Sequence, residues 1–125
     1  MSFAKLIVLS SLTFLGITAG AAETRPVRVL ACNMGALTPE QRVRHREMSA
    51  RLLKIAKRTN LEDGYLFAVE REKVSVPDLA ECVANEARYC PGVDFHLDLP
   101  ASGPLTLRLD GGADVKAFLA AEMDL

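Results

Sequence analysis

The sequence predicts an α+β domain: a single small mixed β-sheet, in the order β-α-β-α-β-β-α, with helices packed mainly on one face. Three observations carry this. Residues 93–99 and 105–109 place apolar side chains at every second position, the period of a half-buried strand. Thr38-Pro39-Glu40-Gln41 and Ser75-Val76-Pro77-Asp78 are helix-start signals, each ahead of a segment with apolar residues at helical spacing. The hairpin made by the two alternating runs is apolar on one face and polar on the other, so one side alone invites a helical layer.

The chain opens on a segment that belongs to targeting rather than to the fold. Lys5 is its one charge, residues 6–22 are charge-free and mostly apolar, and Ala19-Gly20-Ala21-Ala22 precede Glu23 and Arg25. That order is the grammar of a signal peptide, residues 1–22, cleaved after Ala21 or Ala22. A spanning helix needs roughly 20 predominantly apolar residues, whereas Ser10, Ser11, Thr13, Gly16 and Thr18 interrupt this stretch. The expectation is a periplasmic or secreted domain of residues 23–125, with no transmembrane span after cleavage. Val29-Leu30-Ala31-Cys32 loosely matches a lipobox, but Glu23, Arg25, Pro26 and Arg28 separate it from the apolar stretch.

Within the domain, residues 27–31 are β-prone and open the fold. Thr38 then caps a helix with Pro39 at its first position and Gln41 completing a capping box. That helix is expected over residues 39–59, with His45, Met48, Leu52, Ile55 and Ala56 on its inward stripe. Gly64 leads into a strand carrying Tyr65, Phe67 and Val69 on one face. The second helix starts after Ser75, reaches about Cys90 and stops at Pro91-Gly92. The hairpin follows, turning at Pro100, Gly103 and Pro104. Gly111-Gly112 breaks the chain before a last helix that points Val115, Phe118, Leu119 and Met123 inward.

The whole chain has 15 basic and 16 acidic residues, and loss of Lys5 with the leader leaves the domain at −2. This excludes the strongly basic balance of a nucleic-acid binder. The first helix nevertheless carries a net charge near +5. Arg44, Arg51, Lys54 and Arg58 are therefore a candidate surface for an anionic protein or lipid. The competing reading is a solvated face neutralised by acids of neighbouring elements.

Three cysteines complete the inventory. Cys82 and Cys90 lie eight residues apart on one helix, hence about 12 Å apart along its axis. A disulfide needs Cα atoms within roughly 7 Å, so the open pairs are Cys32–Cys82 and Cys32–Cys90. The second is preferred because Cys90 sits at a helix end beside a loop. The alternative use of the same thiols is a soft-metal site of Cys32, Glu86 and Cys90, holding zinc, copper or mercury. Cys82 reads as a buried small hydrophobe. A thiol-dependent enzyme built on Cys90 ranks behind both, because a helix C-terminus disfavours a thiolate.

Other polar residues are less directive. Asp94, His96 and Asp98 line the polar face of one strand, with Arg108 and Asp110 across from them, as in any half-exposed hairpin. His45 reads as a hydrogen-bonded residue at the core edge. The sequence has no Gly-rich phosphate loop, nucleophile elbow or H-E-x-x-H.

Cys32, the run 37–42, Asp63-Gly64-Tyr65, Glu86 with Cys90-Pro91, and the runs 105–109 and 115–119 resemble a family of small bacterial α+β proteins of no established activity. Its members usually place two adjacent cysteines before the proline, often followed by Phe. Here Tyr89 takes the first of those positions and Gly92 follows Pro91. The resemblance implies a fold, together with a suspected association with heavy-metal resistance. The expectation drawn from all of this is a non-enzymatic exported binding module, with Cys32, Glu86 and Cys90 as its functional cluster. A disulfide-stapled interaction domain using helix 39–59 is the alternative.

Overall fold

The computed structural model describes residues 30–125. The expected signal peptide, its cleavage site and residues 27–29 of the first expected strand lie outside them. Leu30 and Ala31 run in irregular backbone rather than a strand. A short 3-10 turn, Met34–Ala36, follows, and the Asn33 side chain caps it by accepting from the Gly35 N–H at 3.0 Å.

Helix α1 (Pro39–Ile55) begins as its sequence dictates. Thr38 Oγ1 accepts from the Gln41 N–H at 3.2 Å, and the Gln41 side chain accepts from the Thr38 N–H at 2.9 Å. The reciprocal pair satisfies two amide donors that a helix start leaves orphaned. The helix stops at Ile55, earlier than the expected residue 59. Lys57–Asn60 instead form β1, which pairs antiparallel with β2 (Tyr65–Val69). Thr59 and Asn60 are poor helix formers, and hydrogen bonding along the β2 edge gives their backbone a better partner than a fraying last turn. Gly64 closes the turn between them, its carbonyl accepting from the Leu61 N–H at 2.9 Å. A Cβ at Gly64 would collide with the Leu109 carbonyl oxygen and the Asp110 Cα.

Helix α2 (Val76–Tyr89) opens at Ser75, whose Oγ accepts from the Asp78 N–H at 3.2 Å. Strands β3 (Asp94–Asp98) and β4 (Leu105–Asp110) form the expected hairpin, and α3 (Ala113–Glu122) closes the chain. Gly112 provides the N-cap of α3 at φ +117°, a conformation that L side chains rarely adopt.

The strand order is β1-β2-β4-β3 and every pairing is antiparallel, so the sheet is not mixed as expected. Chain direction explains the difference. Helix α2 delivers the chain to β3 at the sheet edge, and β4 turns back between β3 and β2. β1 and β4 run one way and β2 and β3 the other, so strands of like direction are never neighbours.

The register sets Phe67 opposite Leu107 and Leu109 opposite Phe95, so these side chains share one face. All three helices pack on that face. Val115 and Leu119 of α3 join Tyr65, Phe67, Val93 and Leu109 in one cluster. Leu52 of α1 and Leu79 of α2 join Val69, Val74 and Leu105 in another. Leu79 and Leu105 are 1% and 0% exposed, and burying such a side chain stabilises by about 1.5–3 kcal/mol.

A disulfide between Cys32 and Cys90 fastens the segment before α1 to the end of α2, with Cα atoms 4.5 Å apart. The Asn33 N–H donates to the Tyr89 carbonyl at 2.7 Å, and Arg88 Nη2 donates to the Ala36 carbonyl at 2.9 Å. The bridge spans 58 residues of sequence. Closing a loop of that length removes unfolded-state entropy worth about 4 kcal/mol. It is compatible with an extracellular location. Among the described residues no helix is long and apolar enough to cross a membrane.

Candidate functional site

The thiols sort themselves differently from the soft-metal expectation. Cys32 and Cys90 are joined to each other, and Cys82 is the free cysteine, buried at 8% exposure. A bridged sulfur is no thiolate ligand. Glu86, the third residue of the expected metal site, turns its carboxylate to His45 of α1. Among the described residues no group of three or more His, Cys, Asp or Glu is placed to hold a metal ion.

What the structure does bring together is a polar cluster in the seam between α1 and α2. The two helices run antiparallel, so that two i,i+4 pairs face each other: His45 with Ser49 on α1, and Cys82 with Glu86 on α2. His45 Nε2 donates to Glu86 Oε2. Its other nitrogen, Nδ1, lies 4.0 Å from Cys82 Sγ. Ser49 Oγ is 3.4 Å from His45 Nε2 and 3.9 Å from Cys82 Sγ. The Tyr89 ring leans against the imidazole with centroids 6.2 Å apart.

His45 is 9% exposed. Burial alone would push its pKa down. The hydrogen bond with Cys82 and then that with Glu86 outweigh burial and raise it to about 9. At neutral pH the imidazole therefore carries its proton, held between a sulfur and a carboxylate.

This cluster forms one wall of a cavity of about 310 Å³ between the helix pair and the sheet. The remaining lining is mostly apolar, including Leu52 and Val83 from the helices and Phe67 and Leu107 from the sheet. Arg46 lies on the rim, exposed. The volume is at the small end of the roughly 300–1,000 Å³ typical of ligand pockets. A few polar groups converging in an otherwise apolar cavity is the usual composition of a small-molecule site.

The basic residues of the first helix are mostly engaged within the molecule. Arg44 Nε donates to Glu81 Oε1 at 2.7 Å, and Nη2 reaches Asp78 Oδ1 at 3.4 Å. Arg51 Nη2 donates to the Lys73 carbonyl at 2.5 Å. Arg58 lies on β1 and sits over the Tyr65 ring, 5.9 Å from its centroid. That leaves Lys54. On the polar face of the hairpin, His96 Nε2 is 3.0 Å from Asp110 Oδ1, and Arg108 Nε is 3.4 Å from Asp110 Oδ2. These groups pair with one another.

Comparison with known proteins returns no match at any level: no family model, no characterised protein and no solved structure matches the chain. The site thus rests on its own geometry. Sequence reasoning placed Cys82 and Glu86 on one face of the second helix and His45 on the first, without joining the two helices at this point. The signal was present, since His45 and Cys82 both fall on inward helical stripes, with Ser49 and Glu86 one turn beyond.

Proposed function

We propose that the protein is an exported binding module, periplasmic or secreted, that holds a small amphipathic molecule in the cavity between α1, α2 and the sheet. The observation that carries this reading is the cavity itself, apolar over most of its wall with His45, Ser49, Cys82 and Glu86 gathered at one side. An apolar tail would lie against Phe67, Leu107 and Leu52, where its transfer from water is favourable. A polar head would meet the protonated imidazole and the Arg46 guanidinium. The Cys32–Cys90 bridge supports an oxidising destination. Binding of zinc, copper or mercury through Cys32 and Glu86 with Cys90 would first require that bridge to be reduced.

Octanoate is a suitable probe, with one anionic head and a short apolar chain. Titration followed by two-dimensional NMR should give saturable shifts concentrated at Leu52, Phe67, Val83 and Leu107. Thermal stability should rise with octanoate concentration, by about 2.7 kcal/mol at a hundredfold excess over Kd. Shifts that are absent, or that spread evenly over the surface without saturating, would overturn the reading.

A further inference from the structure

We infer that Cys82 is a nucleophile served by His45, and that it takes the acyl group of an activated ester or thioester bound in the cavity. The inference rests on the cavity reading above and gives it a chemistry. Four features support it. Cys82 is the free thiol of a three-cysteine chain whose other two are bridged, and it lines the cavity. His45 Nδ1 stands 4.0 Å from its sulfur, and the far nitrogen of the same ring is held by Glu86. That is the order nucleophile, base, orienting carboxylate, which defines a thiol–imidazole catalytic unit irrespective of fold. Ser49 places a hydroxyl 3.9 Å from the sulfur, near enough for an acyl oxygen beside Cys82 to accept from it. Cys82 packs with Leu52, Val69 and Leu79 on one side and meets the imidazole and the hydroxyl on the other, so its sulfur stands where the apolar wall joins the polar cluster.

The reaction balances with water as the one co-reactant. In the fraction of molecules whose imidazole has lost the Nδ1 proton, that nitrogen takes the thiol proton, and the sulfur attacks the carbonyl carbon. A C–S bond forms while the carbonyl π pair moves to oxygen. Collapse of that adduct breaks the bond to the leaving alcohol or thiol, which departs with the proton from Nδ1. The product is an acyl thioester on Cys82. Water then attacks the same carbon as His45 takes a proton from it. The C–S bond breaks, the sulfur regains its electron pair and then the proton from Nδ1, and the carboxylic acid is released. Glu86 acts through the ring nitrogen remote from the sulfur; it is a positioning residue that fixes the ring and favours its protonated form.

The test uses the intact oxidised protein and p-nitrophenyl octanoate. The expected result is a burst of p-nitrophenolate matched by the mass of one octanoyl group on Cys82, located by peptide mapping. The rate of Cys82 acylation in the native protein should exceed that of the same thiol in the guanidinium-unfolded chain. His45→Gln should slow it on the order of 10²–10⁴-fold, the usual contribution of a positioned acid–base group. Glu86→Gln should move its pH–rate profile to lower pH. Octanoate binding to Cys82→Ser is measured in parallel. If octanoate binds while native and unfolded thiols acylate equally fast, the inference falls and the binding reading stands. Acylation of lysines in place of Cys82 overturns the inference as well.

Discussion

Raising the pH should loosen the α1–α2 seam through a single side chain. His45 has its pKa raised from 6.5 to about 9, first by the hydrogen bond with Cys82, then by that with Glu86, and against the cost of burial. A histidine whose folded pKa lies above its unfolded value binds its proton more tightly when folded. The resulting stabilisation is therefore complete below about pH 6.5 and is lost as the pH climbs through about 9. Each pKa unit corresponds to about 1.4 kcal/mol, so the shift is worth up to about 3 kcal/mol. The perturbation is His45→Gln, which keeps a polar side chain but does not titrate. The assay is urea unfolding of both proteins, with the Cys32–Cys90 bridge intact, at a series of pH values from 6 to 10. Packing lost by the variant is independent of pH and appears as a constant offset. The titrating part appears as a difference in stability that shrinks by up to about 3 kcal/mol between the two ends of the series. Two parallel stability curves would refute the reasoning, because His45 would then have the same proton affinity folded and unfolded.

Reducing the Cys32–Cys90 bridge, or replacing both cysteines with serine, should lower stability by about 4 kcal/mol while leaving the sheet in place, as read by denaturant midpoint and far-UV circular dichroism. An unchanged midpoint would show that the bridge does not restrain the unfolded chain. Gly64→Ala should destabilise by several times the typical ~1 kcal/mol of a point change, because its Cβ meets the Leu109 and Asp110 backbone rather than a movable side chain. A midpoint within the error of the parent would mean that β2 and β4 separate more readily than their register implies.

Much of this architecture is legible in the amino-acid order. Thr38 and Ser75 announce their helices by chemistry that is local, since each cap needs only a hydroxyl and an amide a few residues away. The β3–β4 hairpin declares itself by alternation. Residues 57–60 were not legible as a strand, because all four are exposed and carry no apolar period. What makes them a strand is the edge of β2, which exists only once the sheet has formed. The antiparallel order likewise depends on where α2 deposits β3, a long-range choice that no local signal records. The thiols show the same division. Spacing along a helix is fixed geometry and excludes Cys82–Cys90, while the place of Cys90 at a helix end beside a loop favours it over Cys82 as the partner of Cys32. The meeting of His45 with Cys82 and Glu86 depends on how two helices align, and their sequences are 37 and 41 residues apart.

The bridge also skips a cysteine. A chain that emerges N-terminus first presents Cys32, then Cys82, and Cys90 last. Oxidation in the order of appearance would join Cys32 to Cys82, pulling the sulfur away from His45 and leaving Cys90 as the spare thiol. The native pairing therefore depends on timing. Once α1 has docked on α2, Cys82 is enclosed and Cys90 is the partner that Cys32 can reach. If an oxidant acts before that docking, thiol–disulfide exchange must free Cys82 afterwards. Helix packing thus proofreads the covalent bond, and a compartment that oxidises faster than this domain folds would need an isomerase to recover it.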